Sequence, residues 1–254
     1  MLRVLLERLR QGHRTAGYPA QEPALPDRYR GRPEIRAGAC PEPCRACLQV
    51  CPTGALSREG SGVRLDVARC LFCGACEAAC SGGVVRLTRE YRMAARSREG
   101  LVLGGGDAQR TAQAVHEQAR RLFGRSLKLR EVSAGGCNAC EADVNVLNTL
   151  VFDLGRFGVQ FVASPRHADG LLITGPVSAN MELALRKSYE AVPAPKIVIA
   201  VGACALSGGP FAGHPEVRGG ADSVLPVDLY IPGCPPHPYT ILDGILRLLG
   251  RLPS

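Results

Sequence analysis

The sequence predicts two folds in series, an α+β module organised by cysteines and then an α/β domain built on a parallel sheet. Three observations carry that expectation. Eight of the twelve cysteines fall in two compact runs, Cys40, Cys44, Cys47, Cys51 and Cys70, Cys73, Cys76, Cys80. From Leu127 onward, short aliphatic or β-branched runs ending at Gly, Pro or Ser alternate with helical patterns, the signature of strands that cross over through helices. The last four cysteines, Cys137, Cys140, Cys204 and Cys234, each follow such a strand.

The compact runs indicate the chemistry of the first module. Cys70-Leu-Phe-Cys73-Gly-Ala-Cys76-Glu-Ala-Ala-Cys80 has the C-x2-C-x2-C-x3-C spacing by which one loop presents several thiolates to an iron–sulfur cube. The run from Cys40 to Cys51 repeats it, with Pro52 behind its last cysteine. Zinc knuckles usually differ, pairing two C-x-x-C units across a longer insert. Disulfides suit short secreted chains, whereas residues 1–12 are charged throughout and lack the apolar centre and cleavage site of a secretory signal. The module is therefore expected to be a ferredoxin-like two-cluster [4Fe–4S] domain over residues 37–91, an internal repeat whose clusters substitute for a large apolar core. In two-cluster ferredoxins the fourth cysteine of each run ligates the other cluster. One cluster would then take Cys40, Cys44, Cys47 and Cys80, and the other Cys70, Cys73, Cys76 and Cys51.

Ahead of the module, Leu2, Leu5, Leu6 and Leu9 stand against Arg3, Glu7, Arg8 and Arg10 in a helical stripe. The stripe suits docking to a protein partner; helices of this kind also lie on membrane surfaces or pack on their own domain. Residues 21–36 are rich in proline and charge, so residues 1–36 read as a helix followed by an extended docking tail. Residues 92–126 read as a linker, with a flexible joint at residues 104–106 and a helix over 107–123. The glycines of that joint lack the G-x-G-x-x-G spacing of a dinucleotide site. Residues 127–254 form the α/β domain, with strands at 128–132, 159–163, 170–174, 196–201 and 227–231 and helices at 142–152, 179–191 and 239–249.

A formal charge of +8 invites a nucleic-acid partner, but no aromatic-interleaved basic strand accompanies the arginines, and none is expected. Twelve thiolates around three oxidised cubes bring the loaded chain to about +2, so much of the arginine reads as counter-charge for anionic clusters. The longest apolar stretches, such as residues 196–201, are too short to span a bilayer. Free thiols in this number need a metal or a reducing compartment, which points to the cytoplasm.

The dispersed cysteines gain meaning from the strand pattern. In open parallel sheets, loops beyond the carboxyl ends of the strands gather along one edge. Cys137 and Cys140 follow the first strand, Cys204 the fourth and Cys234 the fifth, so three loops can deliver four thiolates to one point. Gly135, Gly136, Gly202, Gly208, Gly209 and Gly233 let backbone approach a cube closely, and Pro235 and Pro236 stiffen the last loop. Cys204 alone would read as a small buried apolar residue. Beside glycine-rich strand ends it reads as a ligand of a third [4Fe–4S] cluster.

Four motifs carry a family resemblance: Gly136-Cys137-Asn138-Ala139-Cys140-Glu141, Ser164-Pro165-Arg166-His167-Ala168-Asp169, Val201-Gly202-Ala203-Cys204-Ala205-Leu206-Ser207-Gly208-Gly209 and Tyr230-Ile231-Pro232-Gly233-Cys234-Pro235-Pro236. They resemble the small subunit of membrane-bound group 4 [NiFe] hydrogenases of the formate hydrogenlyase type, and the 20 kDa (B) subunit of respiratory complex I. Tyr29-Arg30-Gly31-Arg32-Pro33-Glu34 and both cysteine runs resemble the polyferredoxin-like subunit of formate hydrogenlyase, itself akin to the 23 kDa (I) subunit of complex I. The whole chain is thus similar to a fusion of two neighbouring subunits.

The resemblance implies a flavodoxin-like C-terminal domain whose Cys137, Cys140, Cys204 and Cys234 hold a cluster beside a [NiFe] hydrogenase large subunit, which would carry the substrate-converting site. It also implies membrane-embedded partner subunits and a peripheral place on the cytoplasmic face of the inner membrane. Complex I subunits carry adjacent cysteines at the first ligand position, whereas Cys137 and Cys140 are spaced by two residues as in hydrogenases. The alternative is the equivalent subunit of a nickel-free, complex I-related quinone oxidoreductase. Three positions depart from the pattern: Cys40 and Cys44 stand one residue further apart than usual, Ser81 and Gly82 follow Cys80 where proline is common, and Asp143 stands in place of Glu.

Two roles fit Glu141, a proton shuttle toward the partner site or a negative charge at a helix N-terminus. Arg166 and His167 fit either a partner contact or cluster tuning, and a hydrogen-bonded structural role also suits His167. His214 and His237 have no ligand spacing.

Overall fold

The computed structural model describes residues 2–36, 40, 44–60, 62–104, 123 and 126–252. The helix expected over 107–123 lies almost wholly outside them, as do residues 41–43 of the first cysteine run.

Helix α1 (Leu2–Gln11) buries none of its residues, and Leu2, Val4, Leu5, Leu6 and Leu9 all stand exposed. The cysteine-rich half contains β1 (Pro33–Ile35), α2 (Ala46–Gln49), β2 (Leu56–Glu59), β3 (Gly62–Asp66), α3 (Ala75–Ala79), β4 (Val85–Leu87) and β5 (Val102–Leu103). β1 pairs antiparallel with β4, and β3 lies between β2 and β5.

Two differences from the sequence reading follow from side-chain burial. The end of the expected tail is a strand, because Pro33 and Ile35 bury while Glu34 faces out. The start of the expected linker is packed rather than free. Met93, Ala94, Ala95, Leu101 and Leu103 are buried, and Ala95 exchanges backbone hydrogen bonds with Tyr230 at 3.0 and 2.8 Å.

The second half contains β6 (Leu127–Ser133), α4 (Ala139–Val146), β7 (Val159–Phe161), β8 (Gly170–Thr174), α5 (Ala179–Ala191), β9 (Ile197–Val201), α6 (Ala203–Ser207), β10 (Leu229–Ile231) and α7 (Pro238–Leu248). Its five strands are all parallel, in the order β10-β9-β8-β6-β7. Every residue of β8 and β9 is buried, as a strand covered on both faces requires. Leu185 of α5 belongs to the core with Leu171, Ile173, Val198 and Ala200. Val144 of α4 and Ile241 and Ile245 of α7 belong to the opposite core with Leu129, Leu172 and Ile199. The sheet therefore separates two apolar layers, with its loop-bearing carboxyl edge left to the cysteines.

Helix α4 starts and ends earlier than the periodicity suggests. Beyond it the Leu154 amide returns to the Leu147 carbonyl at 2.9 Å and Asp153 turns left-handed at φ 45°, which closes the chain toward β7. The short α6 was not expected.

The N-terminal tail straps both halves. The Ala16 amide donates to the Val151 carbonyl at 2.8 Å. Tyr18, buried among Tyr91 and Tyr239, donates its hydroxyl to Asp243 Oδ1 at 2.8 Å, and Arg247 Nε donates to the other oxygen at 2.8 Å. Burial raises the Asp243 carboxyl while Arg247 pulls it back.

Candidate metal centre

All twelve cysteines are free thiols. They meet in three sets, which can be recognised by which thiols make one another harder to ionise. Burial, then Cys80, Cys40 and Cys44, pushes the Cys47 thiol up. Burial pushes Cys70 up to about 12, with Cys76, Cys51 and Cys73 adding to it. Cys76 rises through burial and through Cys51 and Cys73. Cys51 thus neighbours the second run and Cys80 the first.

The third set gathers at the carboxyl edge of the parallel sheet. Cys140 lies in the first turn of α4 and Cys204 in α6, while Cys137 and Cys234 occupy the loops after β6 and β10. Burial, followed by Cys204, Glu141, Cys234 and Cys137, raises the Cys140 thiol strongly. Cys204 is pushed up to about 11 by burial and then by Cys234, Cys137 and Glu141. Cys234 is raised by burial and by Cys137.

These donor sets fit iron–sulfur cubes. Crowded, partly buried thiols resist ionising together, and a positive core is what allows four thiolates to coexist. Backbone amides already point at the sulfurs: Ala55 N–H donates to Cys51 Sγ, Phe72 N–H to Cys70 Sγ and Val84 N–H to Cys80 Sγ, each at 3.3 Å. At Cys51 burial works to raise the thiol, but hydrogen bonds from the Thr53, Ala55 and Leu56 amides and the Thr53 hydroxyl together hold it below its usual range. Gly202 has φ +90°, and a Cβ there would meet Cys140 Sγ at 2.4 Å, so only glycine lets the strand end pass this thiol. Among the described residues no three Cys, His, Asp or Glu side chains close on one point for a single metal ion. Ligands of a cube stand further apart, because each thiolate binds a different iron.

A contact invisible in the sequence joins two of the sets. Ser207, three residues after Cys204, donates its hydroxyl to the Ala68 carbonyl at 3.0 Å, two residues before Cys70. Arg98 reinforces the junction with ion pairs to Asp66 at 3.0 Å and Asp222 at 3.9 Å.

Glu141 is buried in the first turn of α4, and its Oε1 accepts the Ser133 hydroxyl at 2.6 Å and the Thr174 hydroxyl at 2.7 Å. Burial works to raise this carboxyl, but those hydroxyls and its own amide prevail and hold it below the usual carboxylate range. Sequence reading missed both hydroxyls, since Thr174 lies on a different strand. Arg166 and His167 are exposed on the turn before β8. His237 caps α7 by accepting the Tyr239 amide at 3.2 Å and stacks on the Tyr239 ring.

Residues 137–248 match the family described as NADH ubiquinone oxidoreductase, 20 Kd subunit. The probable membrane-bound hydrogenase subunit mbhJ of Pyrococcus furiosus is 43% identical over 135 residues, spanning 53% of this chain and 81% of that protein. The chain belongs to this family. Formate hydrogenlyase subunit 7 of Escherichia coli is 46% identical over 128 residues, half of each chain. An NADH-quinone oxidoreductase subunit of Heliobacterium modesticaldum is 42% identical over 120 residues, 47% of this chain and 69% of its own. This 20 kDa-type chain is accordingly a subunit of the hydrogenase and complex I class of oxidoreductases. The family match begins at Cys137 and stops short of the two N-terminal cysteine runs.

Proposed function

We propose that the chain is the iron–sulfur electron-transfer subunit of a membrane-associated group 4 [NiFe] hydrogenase complex of the formate hydrogenlyase type, fused to a 23 kDa-like polyferredoxin module. Three [4Fe–4S] clusters would be held by Cys40, Cys44, Cys47 and Cys80, by Cys51, Cys70, Cys73 and Cys76, and by Cys137, Cys140, Cys204 and Cys234. Each cluster, when bound, takes up and returns one electron. The chain's own residues hold the cubes in series: amides shield the sulfurs, and the Ser207–Ala68 contact keeps the second and third ligand sets adjacent. Glu141, anchored by Ser133 and Thr174, would hold a negative charge beside the third set and offer a proton-relay position.

The observation that carries this reading is the grouping of twelve thiols into three fours, with Cys51 and Cys80 exchanged between the runs. The two-residue spacing of Cys137 and Cys140 favours a nickel-bearing large subunit over the quinone-reducing alternative. Docking to that subunit and to membrane-embedded subunits would place the chain at the cytoplasmic face of the inner membrane. Among the described residues no helix is long and apolar enough to cross a membrane.

Anaerobic purification should yield a brown protein with about twelve irons per chain, four per cube; a colourless zinc protein would refute the assignment. Cys234→Ser should remove one EPR-visible cluster and leave the N-terminal pair. Metal analysis of the co-purifying large subunit separates the two readings: nickel supports the hydrogenase, and its absence favours the quinone oxidoreductase.

A further inference from the structure

The two cysteine runs each carry an arginine on the same ligand position. Arg30 Nη1 donates to the Cys73 carbonyl at 2.6 Å. Arg58 Nη1 donates to the Cys44 carbonyl at 3.1 Å. Cys44 and Cys73 are each the second cysteine of their run. The arginines come from unrelated places, Arg30 from the tail ahead of β1 and Arg58 from the middle of β2. Repetition of one sequence unit therefore does not account for the match.

Both guanidinium groups are held by backbone. The tail around Arg30 is tied down where Gly31 N–H donates to the Thr88 carbonyl and Arg32 N–H to the Glu90 carbonyl, both at 2.7 Å. Gly74, at φ +82°, lies against the Arg30 guanidinium, and a Cβ there would meet its Cζ and Nε at 3.4 Å. Arg58 sits opposite Val63 in the β2–β3 ladder. Arg30 is exposed and Arg58 half-buried.

We propose that Arg30 and Arg58 are matched positioning residues, each fixing one ligand loop and raising the reduction potential of the cluster that loop holds. The proposal rests on the ligand sets given above. Reduction adds a negative charge to a cube, and net charge, hydrogen bonding and exposure set its potential. A fixed cation beside a ligand favours the reduced form, and a guanidinium keeps its charge throughout the working pH range. Arg30 acts on the cluster of Cys51, Cys70, Cys73 and Cys76; Arg58 acts on that of Cys40, Cys44, Cys47 and Cys80. Because Arg30 is the more exposed, added salt should weaken its effect more.

The test is an EPR-monitored redox titration of the loaded full-length chain, with iron content measured alongside. Arg30→Gln and Arg58→Gln should each lower the midpoint of one N-terminal cluster, and a different one in each variant. Arg30→Lys and Arg58→Lys should restore most of the shift. Unmoved midpoints, the same signal moving in both variants, or Lys shifting as far as Gln would overturn the proposal. Should one Gln variant fail to load, the other identifies the two signals and the wild-type salt dependence decides: a larger fall of the midpoint with salt for the Cys73 cluster supports the proposal, and an equal fall, or a larger one for the Cys44 cluster, rejects it. A wild-type chain without two N-terminal cluster signals would instead sink the ligand assignment itself.

Discussion

Glu131 and Glu141 lie close together and are driven apart in acidity. Glu141 is satisfied by two hydroxyls, whereas Glu131 Oε1 is buried without a hydrogen-bond partner among the described residues. Burial, then repulsion from Glu141, pushes the Glu131 carboxyl from 4.5 up to about 7, against the pull of Arg130. The folded chain therefore keeps a proton that the unfolded chain releases between those two values, and folding stability falls as pH rises across that window. Glu131→Gln should flatten the dependence and raise stability above neutrality. Anaerobic melting curves from pH 5 to 8 check this; parallel curves for wild type and variant would refute it. Glu141 was legible in the sequence because it adjoins a ligand-spaced cysteine. Glu131 was not, since strand periodicity gives a face but not the neighbour across it.

At the scale of elements, the aliphatic runs of β8 and β9 announced buried parallel strands, and the sheet bears them out. The strand at Pro33–Ile35 was hidden among prolines and charges, because its pairing with Val85–Leu87 is long-range. The leucine stripe of α1 was legible, and the structure leaves it uncovered. Since Leu6 packs on none of the buried core, Leu6→Asp should change stability by less than about 0.5 kcal/mol. It should still weaken assembly with the partner subunits, as pull-down of the complex would register. A loss of several degrees in melting temperature would show that α1 packs on the chain itself.

Over the whole molecule, the two halves differ in what sustains them. The parallel sheet has apolar layers on both faces, while the cysteine-rich half has short strands around a smaller apolar core, to which the proposed clusters would add most of the remaining cohesion. Anaerobic chelation of iron from the full chain should therefore expose amides of residues 44–91 to hydrogen exchange while β8 and β9 stay protected; uniform exposure would contradict it. The amino-acid sequence by itself determined the spacing of the cysteines, their division into three fours and the alternation that makes a parallel sheet, because these depend on local spacing and periodicity. Only the tertiary structure decided that Ser207 reaches Ala68, that Tyr18 reaches Asp243 across the strap, and that Arg30 and Arg58 meet the second cysteine of each run. Those contacts join residues far apart in the chain, and their geometry is set by packing that no local pattern encodes.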